Sequence, residues 1–277
     1  MMDKKRLEID EIKAYSLEVL CAIRDVCEAH GINYSLTGGT LIGAVRHKGF
    51  IPWDDDIDVM MPRPDYDRFI RLVTEEEGVP FRLLCAERCG EAYPYPFAKA
   101  CHPDTVLIER RMQTPGAELG VYVDIFPVDG VGDTMSAAVR RCKRFQFWHG
   151  LKVCKNWTTY RTSKLRKWYY EPFRYGCYLL SKLFTRRFID RKLDRFARKK
   201  PFATTAYAGR LVGDFGSKEI APRALFETTH TVEFEGQAFR AIVDHDTFLT
   251  NLYGDYMTPP PAEKQVTHHE FDAYRRE

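Results

Sequence analysis

The chain has 277 residues, 44% of them hydrophobic and 29% charged, and a net charge of +3. That is ordinary for a globular protein with a real core, long enough for one large domain or two modest ones. No apolar run approaches the roughly 18 residues of a membrane-spanning helix. The opening MMDKKRLEIDEIKAYSL lacks the apolar stretch of a secretory leader, so a cytoplasmic chain is expected. The eight cysteines are scattered, and Cys85 and Cys89, the nearest pair, have no second pair at zinc spacing. They are expected to be reduced thiols.

In chain order, apolar positions Ile9, Ile12, Val19, Ile23 and Val26 predict a helix over 7–29, stopped at His30-Gly31. INYSL (32–36) alternates as a half-buried strand does, TGG (37–39) predicts a tight turn, and TLIGAVR (40–46) a short helix with a threonine cap. After the loop HKGFIPW comes an apolar strand, DIDVMM, ended by Pro62 and Pro64. Residues 65–77 predict an amphipathic helix, and further strands are expected at 81–85, 95–101, 105–109 and 121–126. The first 130 residues thus read as mixed α/β with carboxylates at strand ends.

The charge is unevenly distributed. Residues 134–200 hold twenty Lys/Arg against three acids (Glu171, Asp190 and Asp194), so the remainder of the chain carries a net −14. This basic section is interleaved with Trp148, Trp157, Trp168, Tyr169, Tyr170 and Phe173. It predicts a helical insertion suited to an anionic membrane surface or an anionic glycan, the plain alternative being a solvated basic face. Nucleic acid is not expected as a partner. The expected organisation is a catalytic core over 1–133, the helical insertion over 134–200, and a C-terminal part, 201–277, that completes the core.

Four aspartates fall within IPWDDDIDVMM, where mutual repulsion would weaken a fold. Residues i and i+2 of a strand share a face. Asp56 and Asp58 form such a pair, and Asp54 and Asp56 another if the strand begins early. Side-by-side carboxylates call for a cation, and oxygen-only ligands suit Mg²⁺ or Mn²⁺. A third carboxylate, Asp124 of GVYVDIFPVDG, lies in an apolar strand and would be a buried charge without a partner unless something binds it. Asp129, before Gly130, reads as a turn residue. The Gly-Gly pair entering a helix offers backbone N–H groups to a phosphate.

These segments resemble the LicD family, which includes fukutin and fukutin-related protein. The resemblance rests on YSLTGGTLIGAVRHKGFIPWDDDIDVMMPRPDYDRF, FAKACHPDTVLIE, GVYVDIFPVDG and LYGDYMTPPP, in that order. It implies an α/β (α+β) fold with a nucleotidyltransferase-like mixed sheet. It implies transfer of phosphocholine or a similar phospho-alcohol from a CDP-linked donor, such as CDP-choline, to a glycan that can be lipid-linked. Carried onto this chain, it makes Asp56, Asp58 and Asp124 the metal-binding and catalytic carboxylates, and brings Gly38, Gly39 and Thr40 to the donor phosphates. Around them, Asp54, Arg46 and Lys99 are candidates for the donor site, although Arg46 also fits a helix C-terminal charge and Lys99 an edge-strand lysine. Trp53, Tyr253, Asp255, Lys264 and His268 are candidate substrate contacts; Trp53 equally fits a packing anchor, and His268 with His269 a solvated tail. The competing expectations are a nucleotidyltransferase that releases pyrophosphate and a non-catalytic glycan- or membrane-binding homologue.

Overall fold

A computed structural model describes residues 5–75, 78–90, 93–109, 118–157, 159–160, 162, 167–267 and 271–276. The elements in order are α1 (Ile9–His30), β1 (Ser35–Leu36), α2 (Gly38–His47), β2 (Ile57–Pro62), α3 (Arg63–Glu75), β3 (Arg82–Leu84), α4 (Ala86–Cys89), β4 (Ala98–Cys101), β5 (Thr105–Glu109) and β6 (Tyr122–Gly132). They are followed by α5 (Met135–Asn156), α6 (Glu171–Lys182), α7 (Arg186–Arg198), β7 (Tyr207–Gly209), β8 (Ile220–Pro222), β9 (Thr229–Phe234), β10 (Gln237–Ile242), α8 (His245–Tyr253) and β11 (Phe271–Arg275).

The main sheet has the order β1-β2-β6-β4-β3 and continues from β6 into β7 and β8. β2 and β6 run parallel, whereas β1 on β2 and β4 on β6 run antiparallel, so the sheet is mixed. The fold is α+β, with the nucleotidyltransferase-like mixed sheet expected from the sequence. β9 and β10 form a hairpin whose two turn residues, Glu235 and Gly236, both have positive φ, as a two-residue turn matching strand twist requires.

Local chemistry explains the helices. α1 ends where Gly31 adopts the left-handed conformation and donates its N–H back to the last turn. α3 has Pro64 and Asp65 in its first turn and buries Tyr66, Phe69, Ile70 and Val73, one face at three- and four-residue spacing. Those residues join a core made of both faces of β2 and β6 and of Phe234, Phe239 and Phe248 from the C-terminal part. A second core, with Phe145, Leu151, Ile189 and Leu193, joins α5 and α7 to Val131, Leu211 and Ile220.

Several sequence expectations need correction. The α2 helix starts at Gly38, so its cap position is Thr37 rather than Thr40. The strand expected at 95–101 begins at Ala98, because Pro94 and Pro96 have no N–H to donate to a ladder. The strand expected at 121–126 continues to Gly132. Asp129 is therefore no turn residue. It sits inside β6, 1% exposed, and accepts two hydrogen bonds from Arg63, at 2.7 and 3.0 Å. Replacing Arg63 with Met strands that carboxylate, and chemical denaturation is expected to show a loss of about 3–5 kcal/mol. A loss under about 1 kcal/mol, the range of an exposed pair, contradicts this assignment.

Candidate active site

The site is built where α2 meets the N-terminal ends of β2 and β6. The register of the parallel pair sets Asp58 opposite Asp124. Lys99 of β4 stands opposite Asp124 on its other side. Asp58 is clamped by its own backbone: Thr37 N–H donates to its carbonyl at 3.1 Å, and its N–H donates to Thr40 Oγ1 at 2.8 Å. The Thr40 hydroxyl is thus a strap between α2 and β2.

Gly38 and Gly39 are the first residues of α2 and allow close approach. Gly38 has φ +58°, and a Cβ there would lie 2.9 Å from Asp58 Oδ2. A Cβ on Gly39 would overlap Asp54 Oδ2. Asp54 thus places a carboxylate against the positive end of α2, a position that favours negative charge. Thr37 makes no side-chain cap bond, and its buried hydroxyl has no partner among the described residues.

Asp56, Asp58 and Asp124 line one cleft of about 350 Å³. Its walls include Tyr95, Phe97, Phe126, Phe215, Tyr253 and Arg210, with His149, Lys152 and Val153 contributed by α5. Burial, then the neighbouring charges of Asp56 and Asp124, push the Asp58 carboxyl well above the usual carboxylate range, against the opposing field of Arg210. Such crowding of like charge disfavours ionisation, and a bound cation relieves it.

The donors are all carboxylate oxygens, so the set fits a hard divalent cation and not zinc. Among the described residues, the one trio of candidate ligand atoms within 4.8 Å of one another is Asp54, Asp55 and Asp56. The loop carboxylates therefore converge more tightly than the strand carboxylates in this structure.

Asp124 is not the partnerless charge expected from sequence. Lys99 donates to its Oδ1 at 2.6 Å, and the ammonium lies 3.4 Å from the centroid of the Tyr122 ring. Lys99 is on an interior strand, between β6 and β3, and is no edge-strand lysine. Its burial alone, at 2% exposed, marks it as a deliberate charge pair.

The other candidates are spread more widely. Arg46 lies in the last turn of α2, about 12 Å along the axis from Gly38. It donates to the Tyr256 carbonyl at 2.5 Å, tying the end of α2 to the segment after α8, and is absent from the cleft lining. Trp53 packs against the main core, as an anchor for the acidic loop. Tyr253 reaches the cleft, its hydroxyl 3.8 Å from the Cβ position of Gly38 and its ring against Phe215. Asp255 is exposed and accepts from Thr258 N at 3.2 Å, and Lys264 is exposed in a short 3-10 turn; neither lines the cleft. His268 and His269 lie outside the described residues.

Sequence reasoning missed Arg210 and the α5 contribution. Arg210 is buried, bonds Glu219 at 2.5 Å, and stands 5.1 Å from the Phe126 ring. Lys152 is also buried, pairing with Asp190 at 2.7 Å. No local motif marks either residue. The pairing of β7 with β6 brings Arg210 to the acidic strands, and the packing of α5 on β6 brings Lys152.

Comparison with known proteins adds the family. A family model described as LicD/FKTN/FKRP, nucleotidyltransferase domain, matches residues 31–175. Lipopolysaccharide cholinephosphotransferase LicD of Haemophilus influenzae is 33% identical over 276 residues, covering 98% of this chain and 99% of that protein. The chain belongs to the LicD family. A shorter match, 56% identical over 53 residues, links it to ribitol 5-phosphate transferase FKRP of Homo sapiens, covering 19% of this chain and 11% of that protein. An uncharacterized protein of Rickettsia typhi, RT0683, is 34% identical over 97 residues, 32% of this chain and 31% of that protein. The model match spans the LicD-family segment from the strand before α2 to the start of α6. It therefore takes in Gly38, the acidic loop, Lys99 and Asp124, but not Arg210 or Tyr253.

Proposed function

We propose that this protein transfers phosphocholine or a similar phospho-alcohol from a CDP-linked donor to a glycan hydroxyl, releasing CMP. The observation that carries the reading is the meeting of Asp56, Asp58 and Asp124 in one cleft at the glycine-opened N-terminus of α2. The cholinephosphotransferase that this chain matches over nearly its full length supports the phospho-alcohol class. A Mg²⁺ or Mn²⁺ ion held by Asp56, Asp58 and Asp124 would supply positive charge to the phosphoryl oxygens.

The rest of the work falls to the chain. The N–H groups of the first turn of α2 and the Arg210 guanidinium bias the cleft toward the donor diphosphate. The aromatic walls, Phe97, Phe126, Phe215 and Tyr253, offer ring faces to a cationic alcohol such as choline. The acceptor oxygen attacks the phosphorus that bears the alcohol, the bond from phosphorus to the CMP oxygen breaks, and CMP leaves with the electron pair. The hydroxyl proton passes to Asp124, whose side chain Lys99 holds in a fixed orientation. Catalysis then comes chiefly from position and charge.

Gly38→Ala tests the geometry. A methyl at that left-handed position, in contact with Asp58, is expected to lower turnover by about ten-fold or more while costing about 1–2 kcal/mol of stability. Unchanged turnover in a steady-state assay contradicts the close approach proposed between α2 and the reacting phosphates.

The name of the matching domain favours a second reading, nucleotidyl transfer from a nucleoside triphosphate. The products separate the two. Purified protein with a glycan acceptor, Mg²⁺ and CDP-choline or CDP-ribitol is expected to release CMP. Release of pyrophosphate from CTP, with CDP-alcohols inert, overturns the transferase reading.

A further inference from the structure

Helix α6 and the 3-10 turn before it carry an apolar surface that the described part of the chain leaves open. Tyr175, Leu179 and Leu183 recur at four-residue spacing, so they line one face, and all three are exposed. Leu183 at 79% and, in the preceding turn, Trp168 at 82% exposure are the extremes of this set, which also includes Tyr169 and Tyr170. The opposite side of α6, with Cys177, Leu180 and buried Ser181, packs toward the helical core formed by α5 and α7. Single exposed apolar residues are normal on a protein surface, but a run of this size marks an interaction site.

The charge around it has one sign. Lys167, Lys182, Arg187 and Arg191 are exposed in and beside the same elements. The three acids of residues 134–200 are each engaged internally: Glu171 with Arg174 at 2.5 Å, Asp190 with Lys152 at 2.7 Å, and Asp194 with Arg198 at 2.5 Å. No helix among the described residues is long and apolar enough to cross a membrane, and α6 has 12 residues. An amphipathic helix with aromatic and leucine side chains out and a basic border is the form that lies in a bilayer interface.

We propose that this surface docks on an anionic phospholipid bilayer, with Trp168, Tyr175, Leu179 and Leu183 entering the headgroup boundary and the lysines and arginines meeting lipid phosphates. Charge decides among occupants. A second copy meeting this patch through a two-fold axis would set the basic border against itself. A polyanion in water would engage the cations but leave Leu179 and Leu183 wet. Only a surface that is anionic at its rim and apolar beneath satisfies both sets. Helix α5 joins the patch to the chemistry, because α6 packs on it while its His149, Lys152 and Val153 line the acidic cleft. The inference goes beyond the reaction proposed for the cleft and does not depend on it.

The test uses the full chain with vesicles of phosphatidylcholine plus phosphatidylglycerol, and with phosphatidylcholine alone. Co-sedimentation is expected with the anionic vesicles and is expected to weaken as salt rises. The triple variant W168S/L179S/L183S is expected to lower partitioning about ten-fold or more. K167Q/R187Q is expected to lower it about twenty-five-fold, each cation contributing about five-fold. Brominated lipid is expected to quench wild-type tryptophan fluorescence more than that of W168F. Circular dichroism and melting temperature check that variants fold; if the triple variant does not, the charge variant and the quenching decide. The proposal is overturned if the wild type ignores anionic vesicles, or if both variants bind as the wild type does. It is also overturned if the patch variants only convert an oligomer to a monomer. Binding to heparin as tight as to vesicles, and indifferent to the aromatic changes, overturns it too.

Discussion

Asp58→Asn is expected to lower phospho-alcohol transfer by on the order of 10³-fold while raising the stability of the metal-free protein. The loss of activity follows from removing an oxygen ligand and an anionic charge from the centre of the cleft, several kcal/mol of transition-state stabilisation. The gain in stability follows from linkage. Burial and the charges of Asp56 and Asp124 hold the folded-state affinity of Asp58 for its proton above that of the unfolded chain. A group of that kind contributes stability that is fully present below the unfolded value, about 4, and is lost as pH rises through the folded value. At neutral pH the metal-free wild type bears that cost and the asparagine variant does not. Calorimetric unfolding is therefore expected to place the variant about 1–2 kcal/mol above wild type at pH 7–8, with the gap closing toward pH 4. A variant less stable than wild type across that window contradicts the description of Asp58 as a half-buried, crowded carboxyl.

Lys99→Met is the second large effect. It keeps the stem length but deletes the charge that Asp124 holds at 2.6 Å and that Tyr122 faces with its ring. A carboxylate left without its cation in a protein interior costs about 3–5 kcal/mol. The variant is expected to lose that stability in buffer with chelator and to regain part of it with Mg²⁺, which replaces the missing positive charge beside Asp124. The wild type, already neutralised there, is expected to gain less from the same addition. Equal Mg²⁺ dependence in both proteins, followed by denaturant titration, contradicts the coupling of Lys99 to the acidic centre.

The parts of the site that were legible in the sequence are those where local chemistry is abnormal. Four aspartates in five positions beside an apolar strand have no structural explanation of their own, and an aspartate inside YVDIF is conspicuous for the same reason. The pairing of Asp58 with Asp124 follows once β2 and β6 are neighbours, because register then sets the two side by side. Strand order was the missing information. Lys99 looks alike on an edge strand and on an interior one, and only the order β6-β4-β3 decides between them. Arg63 and Asp129 are 66 residues apart in the chain. Nothing local to Asp129-Gly130 distinguishes a buried pair from a turn. Two misreadings had a visible signal. Pro94 and Pro96 argue against a strand starting at 95, and Thr37 stands ahead of the two glycines where a cap belongs. Arg210 and Lys152 had none: the place of Arg210 exists only once β7 pairs with β6, and that of Lys152 only once α5 packs against β6.

The most direct test of the acidic centre is a crystal of the protein soaked in Mn²⁺ and CDP-choline, examined by anomalous scattering. The expected result is an ion bound by carboxylate oxygens of Asp56, Asp58 and Asp124, at about 2.0–2.3 Å, with the donor diphosphate against it at the start of α2. An ion held by Asp54, Asp55 and Asp56 alone, or a donor bound away from Asp58 and Asp124, would contradict it.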